Sequence, residues 1–150
     1  PEVRITKYSK DFGPGFYLTQ IESQARDWAT IIASRKGRET RAIVNIYNFD
    51  YDNAVENNVK FKIFNEYNIE WLDYVVNCRK GKDVSSIFDV VEGGVANDNV
   101  IDTVEDYEKG IITAEQALGQ LRYKKVNHQI CILNQEVIDK YLSFVDSIML

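Results

Sequence analysis

The chain is poor in the residues that staple, hinge or ligate. Two cysteines occur, Cys78 and Cys131, far apart in sequence, together with one histidine, His128. That excludes a disulfide framework and a zinc set built from Cys and His, and it makes a reducing cytoplasm the expected home. Two prolines and eight glycines in 150 residues leave no linker and no low-complexity stretch. No apolar run approaches the ~20 residues that cross a bilayer, and no stretch has a signal-peptide pattern, so no membrane partner is expected. Positive charge is not in excess either. Eighteen Lys and Arg against 23 Asp and Glu give a net charge of −5, so the surface as a whole does not advertise itself to nucleic acid or anionic lipid. Local basic runs at Arg35, Lys36, Arg38 and Arg41, and at Arg122, Lys124 and Lys125, read as solvated ends of elements.

What is present is ordinary for a folded chain: 45% hydrophobic and 27% charged residues, and a length that suits one domain with its own core, residues 1–150. Caps and apolar periods agree on several helices. Thr19-Gln20-Ile21-Glu22 has the form of a capping box, followed by Ala25, Trp28, Ala29 and Ile32 at helical spacing and closed by Gly37. Asn68 opens a helix with Leu72, Val75 and Val76 that stops at Gly81, and Trp28 and Trp71 are expected in the core. Asp98 opens a short helix through Val104 to Gly110. Thr113-Ala114-Glu115-Gln116 is a second box, and Asn134 caps a last helix carrying Val137, Ile138, Tyr141, Leu142, Val145 and Ile148. Strands are expected at Phe16–Thr19, Ala42–Phe49, Val59–Phe64, Phe88–Val91 and Val126–Leu133, short and rich in β-branched or aromatic residues. Their irregular interspersion, with no repeated βαβ unit, predicts an α+β fold with a mixed or mainly antiparallel sheet.

Asp11-Phe12-Gly13 spells the metal-binding tripeptide of protein kinases, but the chain lacks the catalytic loop and lysine signature that give it meaning. The longer string Asp11-Phe12-Gly13-Pro14-Gly15-Phe16-Tyr17-Leu18-Thr19 is more informative. Two glycines around a proline let the backbone turn sharply and approach either a ligand or a neighbouring strand, with Phe16 and Tyr17 facing a site or a core. Acidic residues at Asp89, Glu92, Asp98 and Asp102 offer a weaker reading as a metal-dependent nuclease. No specific spacing supports it, and an acidic loop or a helix cap explains them more simply.

The segment Gly13–Thr19 resembles the Gly-x-Gly-(aliphatic or aromatic)-Tyr-(apolar)-(small) strand of poly(ADP-ribose)-polymerase-like and diphtheria-toxin-like ADP-ribosyltransferases. The residues Ser23–Ala29 are similar to the helix that follows it. The whole Asp11–Thr19 string resembles the hallmark of a bacterial family, a domain of unknown function placed in the same superfamily. The blocks Trp71–Val76, Phe88–Asp98 and Asn127–Ile130 are similar to its later ones. The resemblance implies a split, mixed or antiparallel sheet core flanked by helices, and NAD as substrate. It also implies transfer of ADP-ribose to a macromolecular acceptor, protein or nucleic acid, by a protein that is a candidate toxin paired with a small antitoxin. Tyr17 matches the superfamily's nicotinamide-stacking position, and Gln129 its Glu or Gln near the start of a late strand, which holds the nicotinamide ribose. The backbone of Gly13 and Gly15, with Phe16, would border the cleft.

The resemblance also asks for a histidine in an earlier strand, and Pro1–Lys10 contain none. Either that strand belongs to sequence ahead of Pro1, the expectation favoured by a chain that does not open on Met, or the protein is a degenerate member that binds NAD, ADP-ribose or a protein without chemistry. Another alignment sets His128 at the acidic position, but His128 and Gln129 point to opposite sides of a strand. Glutamine there is consequential. Breaking the glycosidic bond of NAD develops positive charge on the ribose, which a carboxylate stabilises and a neutral amide meets only with a dipole. Losing such a group costs on the order of 3 kcal/mol, about a hundredfold in rate. Asn127 stands two residues earlier, so the paired glutamates of arginine-directed transferases are missing.

Overall fold

The computed structural model describes residues 1–3, 10–37, 40–82, 87–97, 100–122, 124 and 127–150. Arg38, Asp98, Lys125 and Val126, which figured in the sequence reading, lie outside them. Six strands and six helices alternate irregularly along the described residues. They run β1 (Phe16–Leu18), α1 (Glu22–Lys36), β2 (Ile43–Phe49), α2 (Tyr51–Glu56), β3 (Phe61–Ile63), α3 (Ile69–Arg79), β4 (Val90–Gly93), α4 (Ile101–Glu108), α5 (Ala114–Leu121), β5 (Gln129–Ile132), α6 (Gln135–Tyr141) and β6 (Leu142–Met149). The fold is therefore α+β with a mixed sheet, as the irregular order of elements predicted.

Four strands form the main sheet in the order β1-β5-β4-β3, with β3 and β4 parallel and the other pairs antiparallel. Alternation along the strands divides the core in two. Val91, Cys131 and Leu133 face one way and pack with Phe12 and Phe64 against Trp71, Leu72 and Val75 of α3, Val104 of α4, and Ala117 and Leu121 of α5. Val90, Ile130 and Ile132 face the other way and meet Val137 and Ile138 of α6, with Phe16, Leu18, Phe49 and Leu142 at the margin. The second sheet is a two-stranded ribbon of β2 and β6, antiparallel, with a bulge where the register slips between Ile46 and Tyr47. An edge-on contact from Tyr47 to Phe16 ties it to the main sheet, and another joins Tyr47 to Phe144 within the ribbon.

Where local chemistry is unambiguous, the expected ends are found. Thr113 and Gln116 form a complete capping box, Asn68 accepts from the Trp71 amide at 2.8 Å, and Asn134 accepts from the Glu136 amide at 3.0 Å. Gly81 and Gly110, at φ 85° and 72°, take the left-handed conformation that lets a chain leave a helix.

Three expectations are corrected. The Thr19–Glu22 box does not form, because the Thr19 hydroxyl accepts from the Ile21 amide within a local turn and Ile21 itself stands at the N-cap. Trp28 is 58% exposed rather than core, since α1 buries little beyond Ala33 and lies over the protein like a strut. The helix begun at Asn134 stops at Tyr141, and residues 142–149 pair along β2 instead. Leu-Ser-Phe-Val-Asp-Ser-Ile-Met is poor in strong helix formers, and an available partner strand outweighs a loose apolar period. The sequence reading also missed α2, which is capped by Asp50.

The two thiols sit deep in the first core, and burial pushes both Cys78 and Cys131 up to about 12. The folded value lies above the ordinary 9.0. Stability from this source is therefore whole below pH ~9 and is lost as the pH rises towards ~12, where the unfolded chain ionises first. Urea titrations from pH 7 to 11 should show unfolding free energy flat at first and falling beyond pH ~9. Iodoacetamide at pH 8 should label neither cysteine until urea is added. Rapid labelling of the native protein would contradict this burial.

Candidate functional site

The residues singled out in the sequence gather around one end of the β1–β5 pair, and the reason begins with the turn. Asp11 to Gly13 form a tight turn in which the Gly13 amide donates to the Lys10 carbonyl at 3.2 Å and Gly13 takes φ 91°. A side chain at position 13 would be strained in that region. Gly15 is required for a different reason. A Cβ there would stand 2.4 Å from Cys131 Sγ and 2.7 Å from the Ile132 carbonyl oxygen, so the bare backbone is what lets β1 lie against β5.

The Tyr17 hydroxyl closes the same turn, donating to the Gly13 carbonyl at 2.8 Å and accepting from the Phe12 amide at 3.1 Å. Burial holds its phenol well above the ordinary range, so Tyr17 works as a neutral ring and not as a titrating acid. The Lys10 ammonium lies 4.9 Å from the ring centroid, and the ring thus offers a face to a cation.

Tyr17 pairs with Cys131 across the antiparallel ladder. Opposed residues share a face and Gln129 lies two places along β5, so Tyr17 and Gln129 project from the same side of the sheet. Phe16 turns to the other side, into the second core. Gln129 is 7% exposed, and its amide nitrogen reaches both Asp11 Oδ2 and the Gly94 carbonyl at 3.2 Å. Asp11 is the hub. Its Oδ1 takes Nε and Nη2 of Arg79 at 3.0 and 2.8 Å, and its Oδ2 takes the Ala96 amide at 2.8 Å. The Gly94 carbonyl also receives Trp71 Nε1 at 3.1 Å. A Cβ on Gly94 would collide with the Tyr67 ring at 2.4 Å, which explains a glycine there.

Sequence reasoning expected Trp71 in the core, where it is fully buried, and had assigned no site role to Asp11, Arg79 or Tyr67. The available signal was the Asp-Phe-Gly string and the Gly93-Gly94 pair, both noted as similar to family blocks but read without their partners.

His128 goes elsewhere. Its Nε2 lies 2.7 Å from Glu92 Oε1, on the side of the sheet opposite Gln129, and its backbone is clasped by the Gln24 amide of α1. The acidic residues weighed as a metal site are dispersed too. Asp89 accepts from the Lys60 amide and from Asn134, Glu92 faces His128, and Asp102 is exposed on α4. Among the described residues no group of three or more His, Cys, Asp or Glu is placed to hold a metal ion, and no helix is long and apolar enough to cross a membrane. Among the described residues, cavities of about 420 and about 330 Å³ open on the surface, and neither is lined by Tyr17 or Gln129.

A family model described as "Protein of unknown function (DUF3990)" matches residues 1–144, and the chain belongs to that family. No curated protein and no solved structure matches it.

A carboxylate at position 129 would stand against Asp11 and would offer no donor to it. Gln129→Glu is therefore expected to lose about 2–4 kcal/mol of stability at pH 7. The introduced acid would have a raised value in the folded state, so the deficit against the parent should shrink as the pH falls towards ~4. Denaturant titrations of both proteins at pH 7 and pH 4.5 test this, and an equal deficit at both would show that the glutamate escapes Asp11. Tyr17→Phe keeps the ring but strips the turn of its brace, and a loss of about 1–2 kcal/mol by thermal unfolding is expected.

Proposed function

We propose that this DUF3990 member is an ADP-ribosyltransferase-type protein, its β1–β5–β4–β3 sheet and β2–β6 ribbon forming the split core of that fold. It binds NAD and transfers ADP-ribose to a macromolecular acceptor. The observation that carries the reading is the side-by-side placement of Tyr17 and Gln129. Separated by most of the chain, the two residues come to adjacent strands and one face of the sheet, which supports reading them as the nicotinamide-stacking and ribose-holding pair. The Tyr17 ring already accepts a cation from Lys10, and the nicotinamide ring of oxidised NAD is itself cationic. Lys10 is exposed, so displacing it costs little.

In this reading Tyr17 stacks on the nicotinamide and Gln129 positions the ribose hydroxyls. The glycosidic bond to nicotinamide breaks, nicotinamide leaves with the bonding electrons, and an acceptor nucleophile bonds to the ribose carbon. To reach the ribose, the Gln129 amide exchanges its bonds to Asp11 and Gly94 for bonds to hydroxyls. Asp11 keeps Arg79 and the Ala96 amide meanwhile, so it is not stranded.

One observation favours a second reading, a binding module of the same fold without chemistry. Gln129 is neutral, buried and engaged, and it brings no charge to a developing oxocarbenium ion.

Incubating the protein with NAD labelled in its adenylate half and a crude cell extract separates the two. Label is expected on a macromolecule, with release of nicotinamide. NAD binding without label transfer selects the module. An absence of NAD binding by calorimetry removes the transferase reading.

A further inference from the structure

A glutamine side chain can set its amide in two ways, and the surroundings of Gln129 permit one. Asp11 Oδ2 and the Gly94 carbonyl oxygen both lie 3.2 Å from its nitrogen, and an ionised carboxylate and a carbonyl only accept. With the nitrogen turned to them, the amide gives a hydrogen to each. With the oxygen turned to them, three acceptors would crowd together around a residue that is 7% exposed. Neither neighbour can step aside. Asp11 Oδ1 is held by Arg79 Nε and Nη2 at 3.0 and 2.8 Å, and Oδ2 by the Ala96 amide at 2.8 Å. The Gly94 carbonyl is held by Nε1 of the fully buried Trp71 at 3.1 Å.

The consequence lies at the other end of the amide. Nitrogen and oxygen point apart, so Oε1 is turned away from Asp11, and no bond from a described residue reaches it. Among the described residues the Tyr74 hydroxyl is the single buried side-chain polar atom left without a partner. The Gln129 oxygen is therefore not sealed in. It belongs to the small part of this side chain that meets solvent, on the side of the sheet that Gln129 shares with Tyr17.

We propose that Asp11 is the positioning residue of this site. It holds the Gln129 amide with its oxygen outward, so the face offers a fixed acceptor and selects a ligand that brings a hydrogen-bond donor. The identity of that ligand, the nicotinamide ribose, rests on the transferase reading; the orientation of the amide does not. A ribose hydroxyl arriving here gives its hydrogen to Oε1 first, while the amide nitrogen still holds Asp11. A phosphate or carboxylate oxygen brought to the same place meets another acceptor and is repelled. Asp11 acts through Gln129 and touches no ligand.

The test compares NAD with analogues that carry fluorine in place of the 2′- or the 3′-hydroxyl of the nicotinamide ribose, and follows the side-chain amide protons of Gln129 by NMR. Fluorine has no hydrogen to give, so one of the analogues should bind roughly tenfold more weakly than NAD. Asp11→Ala frees the amide to turn and should cut that preference to about threefold or less. Asp11→Asn separates positioning from stability. Its one oxygen stays with the Ala96 amide, which cannot turn away, while the partly exposed Arg79 swings to solvent and the Gln129 nitrogen keeps its acceptor. The preference for NAD should survive in it although the protein melts lower. The Gln129 amide protons should exchange slowly in the parent and in Asp11→Asn, and at the rate of exposed glutamines in Asp11→Ala. Equal affinity for NAD and both analogues, or fast exchange of this amide in the parent, would overturn the assignment. If NAD itself does not bind, the transferase reading falls, and the exchange rate of the Gln129 amide still decides whether Asp11 holds it.

Discussion

A buried carboxylate on the turn before β1 fastens four parts of the chain that are remote in sequence. Asp11 receives the guanidinium of α3, a backbone amide from the segment after β4 and the amide of Gln129 at the head of β5, while the turn it belongs to is closed by Tyr17. An unpaired charge at this depth would be prohibitive, so each of these partners is needed by Asp11 as much as it is held by it. The contribution is best seen as positional. A buried ion pair adds little net stability over a well-packed apolar substitute, but it fixes one arrangement of the groups that satisfy it. Here those groups are the ends of the elements that would border a cleft on this face.

The same network settles what two of the prominent sequence features mean physically. Asp-Phe-Gly-Pro-Gly is a turn whose acid is an anchor, whose first glycine supplies a positive φ and whose second permits close approach of two strands. Gln129 is an amide because its neighbour is a carboxylate that needs a donor. A glutamine has a hydrogen to give Asp11, and a glutamate ion has none. Under the proposed transferase reading, chemistry on this face would work without a second negative charge and would lean more on the acceptor's nucleophile and on stacking at Tyr17.

The α+β class was legible in the irregular order of strand and helix signals, and most helix ends were legible in short-range chemistry. Asn68, Thr113, Asn134, Gly81 and Gly110 act through contacts within a few residues, so their roles can be read locally. Thr19 failed the same test because its hydroxyl had a nearer amide to serve. Trp28 and β6 failed for a long-range reason. Whether a helix face is covered, or a marginal apolar stretch finds a strand to pair with, depends on elements elsewhere in the chain. The site was half legible on the same grounds. Tyr17 and the two glycines announce themselves in one string, whereas the partnership of Asp11 with Arg79 spans 68 residues and that with Gln129 spans 118. No local pattern encodes either.

The β2–β6 ribbon has a bearing on how the molecule comes apart. It carries exposed side chains along much of its length, including Ile43, Phe144, Val145 and Met149, and aromatic contacts near the Phe49 end help to join it to the rest. The central strands of the four-stranded sheet, β4 and β5, are by contrast largely buried. Cooperative opening should follow that division, with the ribbon behaving as a low-stability subunit of the landscape that exchanges its amide hydrogens through partial excursions. The anchored sheet would yield its own only when everything unravels.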